Sequence, residues 1–129
     1  MSHKSLRKTP VYRKALELCI MSREIASYVS LNKDILLLYK SNSHRDTIAN
    51  SLLPDAILIP QKIAQAEYTE CRTERLKNAL HINIMLRNIT SYCTGLEKDG
   101  IKEKEYIHLL RTEVGIFKES YKNWRKSLH

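Results

Sequence analysis

Glycine and proline are scarce in this chain, with three of each in 129 residues. That poverty excludes a loop-rich or collagen-like protein, and no regular strand alternation bounded by turn residues is present to suggest a sheet. The three cysteines, Cys19, Cys71 and Cys93, are odd in number and lack paired spacing, which excludes a disulfide framework. Each is expected to behave as a small apolar residue in a reducing compartment. No apolar run approaches the roughly 18 residues a membrane helix needs; the longest spans residues 35–39. Met1 to Pro10 is basic but is followed by no apolar signal core, so a cytoplasmic location is expected. HExxH, CxxC and glycine-rich phosphate loops are all missing, and the histidines at 3, 44, 81, 108 and 129 have no ligand spacing. No catalytic residue, metal site or cofactor is therefore expected. Mixed runs such as Glu70-Cys71-Arg72-Thr73-Glu74-Arg75 read as a solvated helix face.

What remains is helix-forming. Leu, Ile, Lys, Glu and Ala dominate, and 129 residues fit a single domain with its own core. Thr9-Pro10 marks a helix start, because proline at the first helical position gives up an N–H that would be unpaired there. Val11, Ala15, Leu18, Ile25 and Val29 then follow one face. Leu31 to Lys40 reads as a long apolar connection lying over the core, with room for a short helical turn. A second helix starts near Ser43, where Ser43 and Asp46 resemble a capping box. It buries Ile48, Leu52, Ala56, Ile59 and Ile63. Pro54 and Pro60 fall inside it, so it should bend or split, or begin only at Pro54.

The third helix is predicted from about Thr73 to Lys98, with Leu76, Ala79, Leu80, Leu86, Ile89, Cys93 and Leu96 facing the core. Asp99-Gly100 stops it, since glycine accepts the left-handed conformation after a helix end. The fourth has the clearest pattern: Ile107, Leu110, Val114, Phe117, Tyr121, Trp124 and Leu128 recur at 3- and 4-residue steps, a heptad seam. That spacing assigns the three aromatics to the core, against the alternative of a base-stacking platform. Short links favour antiparallel neighbours, giving an all-α, up-down-up-down four-helix bundle. Apolar residues off the main stripes, namely Tyr12, Leu16, Ile20 and Tyr28 in the first helix and Ile82, Ile84 and Met85 in the third, suggest a second buried face and a homo-oligomer.

The net charge of +8 comes wholly from the chain ends. Residues 1–14 carry Lys4, Arg7, Lys8, Arg13 and Lys14 with no acid, and residues 118–129 carry Lys118, Lys122, Arg125 and Lys126 against Glu119. Residues 15–117 hold 13 basic and 13 acidic side chains. In an up-down-up-down bundle both ends meet at one pole, where these nine cations would attract phosphates. RNA or DNA is the expected partner; the bland alternative is a solvated surface that serves solubility.

Three stretches resemble a known family of four-helix bundles. They are VYRKALELCIMSREIA from Val11 to Ala26, RDTIANSLLPDAILIPQKIA from Arg45 to Ala64, and ERLKNALHINIMLRNITSY from Glu74 to Tyr92. The family includes proteins encoded in intervening sequences of bacterial large-subunit ribosomal RNA genes and the accessory variability determinants of diversity-generating retroelements. The ribosomal branch reads Asn, Glu and Gly where this chain has Lys62, Gln65 and Ala66, so the retroelement branch stays open. The resemblance implies a homo-oligomer, commonly a pentamer, and in the retroelement branch a basic nucleic-acid-binding surface with a reverse transcriptase partner. It supplies no catalytic residue.

Overall fold

The computed structural model describes residues 3–30, 43–102 and 104–128. Among them are five helices and no strand: α1 His3–Lys8, α2 Pro10–Val29, α3 His44–Tyr68, α4 Arg72–Lys98 and α5 Lys104–Lys126. The chain is all-α. The apolar connection expected from Leu31 to Lys40 lies outside the described residues.

Short α1 lies within the basic N-terminal segment, ahead of the helix start read at Thr9-Pro10. Leu6 anchors it, being only 2% exposed. Thr9 sits where an N-cap belongs, but its hydroxyl turns back and donates to the Leu6 carbonyl at 2.6 Å, closing α1 instead of opening α2. At the start of α3 the Asp46 N–H donates to Ser43 Oγ at 3.4 Å, one half of a capping box. Gly100 follows α4 with φ 79°, the left-handed stop expected there.

Helix α3 runs without interruption through both prolines, so the expected split or late start at Pro54 does not occur. Pro60 has no N–H to return to the Ala56 carbonyl. Cys19 on α2 supplies a donor instead, with its Sγ 3.1 Å from that oxygen. Burial raises the Cys19 thiol from 9.0 to about 11, which keeps the proton on sulfur.

Each long helix buries one stripe at 3- and 4-residue steps. Val11, Ala15, Leu18, Ser22, Ile25 and Val29 form that of α2, and Leu52, Ala56, Ile59, Ile63 and Ala66 that of α3. Ile107, Leu110, Val114, Phe117, Tyr121 and Trp124 form that of α5, as its spacing predicts. The α4 stripe is Ala79, Ile82, Leu86, Ile89, Cys93 and Leu96. Leu76 and Leu80, expected in the core, are 37% and 50% exposed, while Ile82, expected off the stripe, is fully buried. Two stripes compete on the first turns of α4, and the one that continues in register to Leu96 wins.

Helix α2 packs on α3 and α5, α3 packs most extensively on α4, and α4 packs on α5. Polar contacts fix the order along each seam. Arg45 pairs with Asp99 at 3.0 Å, and Asp55 accepts from the Tyr92 hydroxyl at 2.5 Å and from Asn88 at 3.4 Å. Arg111 donates to Glu97 at 2.8 Å, and the Tyr121 hydroxyl donates to the Ala79 carbonyl at 2.7 Å. The Tyr28 and Tyr106 rings lie 4.6 Å apart. No helix among the described residues is long and apolar enough to cross a membrane.

Candidate nucleic-acid interface

The start of α2 and the end of α5 share a recess of about 310 Å³ lined by Thr9, Pro10, Val11, Ser120, Asn123, Trp124 and Ser127. The two basic segments thus lie at one end of the molecule. The end of α3 is there too, because Trp124 Nε1 donates to Glu67 Oε1 at 2.6 Å. Residues 67–77, which join α3 to α4, add Glu67, Glu70 and Glu74 against Arg72, Arg75 and Lys77. Their charges cancel, so the excess at this end is that of the two terminal segments.

The four cations of the C-terminal segment share a surface of their own. Lys118, Lys122, Arg125 and Lys126 line an open cleft of about 730 Å³ between α5 and α4, together with Tyr121 and Asn83. No carboxylate and no cation of the N-terminal segment is among its described lining residues. Their placement follows from the heptad: with Phe117, Tyr121 and Trp124 committed to the core, positions 118, 122 and 125 fall on the flank toward α4. The N-terminal segment meets α5 on its opposite flank, through Ser120, Asn123 and Ser127.

Of the N-terminal cations, Arg7, Lys8 and Arg13 are exposed. Lys14 is held 3.0 Å from Glu17, an exposed pair worth little in stability but one that offsets its charge. Lys4 belongs to α1, and its side chain lies outside what the structure describes. In the cleft, Lys122 stands 4.0 Å from Glu119, with both side chains more than two-thirds exposed, so that charge stays available to a ligand. Tyr121 forms the floor. Burial pushes its hydroxyl above the ordinary tyrosine range, and Arg125 beside it pulls the other way. An electroneutral floor under four exposed cations suits a run of phosphates, which such side chains hold without reading base edges.

Asn83 and Glu67 escaped the sequence reading. Both belong to helices whose order around α5 is known only once the helices are packed. No group of three His, Cys, Asp or Glu that would hold a metal occurs among the described residues. Compared with protein-family models, curated proteins and solved structures, the chain has no match.

Proposed function

We propose that this chain is a non-enzymatic, cytoplasmic nucleic-acid-binding accessory protein, an antiparallel up-down-up-down four-helix bundle that acts as a homo-oligomer. The closed circuit of helix pairs, each running in opposite senses where polar contacts report it, supports the bundle. The observation that carries the function is the α4/α5 cleft, whose four cations have no carboxylate among the described lining residues. The family resemblance of its three sequence stretches favours the retroelement accessory type, with a reverse transcriptase as partner and five subunits.

Fluorescence anisotropy with a labelled single-stranded RNA, a single-stranded DNA and a duplex tests this. Four phosphates neutralised per site give log affinity against log salt a slope of roughly −2.8 to −3.6. Replacing Lys118, Lys122, Arg125 and Lys126 together with Glu should abolish binding, whereas reversing Arg7, Lys8 and Arg13 should weaken it less. An affinity indifferent to salt and to the four cleft reversals overturns the reading. No binding to any of the three probes favours the alternative, a protein-interaction bundle whose charge serves solubility.

A further inference from the structure

The opposite flank of α5 holds a groove of another character. Between α2 and α5, a recess of about 260 Å³ is lined by Glu17, Ile20, Met21, Glu24 and Glu113. One carboxylate oxygen of Glu113 is buried and has no hydrogen-bond partner among the described residues. A buried, unpartnered carboxylate oxygen carries a desolvation cost that an arriving donor would relieve. Leu109 and Ile116 stand one turn either side of Glu113 on the same face of α5, and Leu16 stands one turn before Ile20 on α2. All four are between 40% and 49% exposed. An apolar strip edged by acids is thus left open along this seam.

Its complement is on the outside of α4. Lys77, Leu80, Ile84 and Arg87 follow one another at steps of 3, 4 and 3, so they form one ridge. Leu80 is 50% and Ile84 47% exposed, and the flanking Lys77 and Arg87 are exposed as well. The ridge lies away from the groove: α4 packs on α3 and α5, as α2 does, and not extensively on α2. A chain therefore cannot close its own groove with its own ridge.

We propose that the α2/α5 groove receives the α4 ridge of a second copy of this chain, Leu80 and Ile84 covering Ile20, Leu109 and Ile116 while Lys77 and Arg87 meet Glu24 and Glu113, Glu17 being already paired with Lys14. Because the two surfaces differ, the contact is heterologous: each copy offers a ridge to one neighbour and a groove to the next, which generates a ring when the rotation closes. The proposal assigns surfaces to the homo-oligomer put forward above and rests on that part of the reading.

Mixing two broken chains tests it. Ile20→Asp places a fourth acid in the groove and leaves the ridge intact; Ile84→Asp spoils the ridge and leaves the groove intact. Both positions are about half exposed, so each variant should keep wild-type helicity by circular dichroism. By light scattering the wild type should exceed the 15.1 kDa monomer mass at micromolar concentration, and each variant alone should fall to it. An equimolar mixture should yield a species of two chains and no larger, since a single intact groove meets a single intact ridge. The charge variant Lys77→Glu/Arg87→Glu gives an independent readout, with self-association weakened about tenfold or more. A monomeric wild type overturns both this contact and the oligomer. A wild type that assembles, with both Asp variants and the charge variant assembling equally well, overturns the contact alone. Two monomeric Asp variants that do not associate when mixed overturn its heterologous character.

Discussion

Toward α4, helix α5 presents Lys118, Lys122 and Arg125, with Lys126 at the rim; toward α2 it presents Leu109, Glu113 and Ile116. One side is cationic and open, while the other is acidic, apolar and partly closed over a carboxylate oxygen without a partner among the described residues. Both are built on a single 23-residue helix whose core stripe is continuous from Ile107 to Trp124. Packing fixes that stripe and leaves the two flanks free to differ. The flanks can therefore carry separate tasks, each open to change without disturbing the other or the core.

The sharpest test of that separation compares either flank with the stripe between them. Phe117→Ala should lower stability by about 3–5 kcal/mol, read as a fall in the urea midpoint, because Phe117 is fully buried and its removal leaves a cavity. The fourfold cleft reversal should move stability by no more than about 1 kcal/mol, and so should Ile20→Asp when it and the wild type are compared at concentrations where both are monomeric. Flank changes as costly as Phe117→Ala would break the comparison.

Alkaline pH probes the interior away from both flanks. Burial raises Cys19 and Cys93 from 9.0 to about 11. In the unfolded chain these thiols lose their protons first, so the folded state binds more protons in that window. The stability they contribute is complete below pH 9 and is lost as pH rises toward 11. Urea midpoints from pH 8 to 11 should fall accordingly, less so in Cys19→Ala/Cys93→Ala and unchanged in slope in the flank variants.

Tyr121→Phe locates the boundary between core and cleft. It deletes the bond to the Ala79 carbonyl and should cost about 1–2 kcal/mol, with nucleic-acid affinity unaltered if the hydroxyl serves only the core. Gly115→Ala is the mildest change. A Cβ there meets nothing within 4 Å, so removing the backbone freedom of glycine in mid-helix should stabilise by about 0.5–1 kcal/mol and leave both flanks unaffected.

Local signals carried the helices well. Asp99-Gly100, Pro10 at the first turn of α2 and the heptad of α5 each depend on neighbours within a few residues, and the structure agrees with all three. Helix α4 was harder, because Leu76, Ala79, Leu80 and Ile82 satisfy two overlapping stripes, and only packing against α3 and α5 selects one. The basic ends were legible as charge. Their division between two sides of α5 was not, since it depends on which helix lies to each side. Cys19 beside the Ala56 carbonyl is likewise invisible in one dimension: proline announces the missing donor, but the replacement lies 37 residues before the carbonyl it serves.

Trp124 is the only tryptophan in the chain, and it is 8% exposed with its Nε1 on Glu67 and the opening turn of α2 alongside. Its emission is therefore an optical gauge of one place, the junction where the ends of α3 and α5 meet the start of α2. Unfolding should shift that emission to longer wavelength as the indole enters water. A polyanion settling on Arg125 and Lys126, the next two residues in sequence, should alter its intensity without that shift. The wild-type protein thus carries a dye-free reporter that separates loss of the fold from occupation of its charged end.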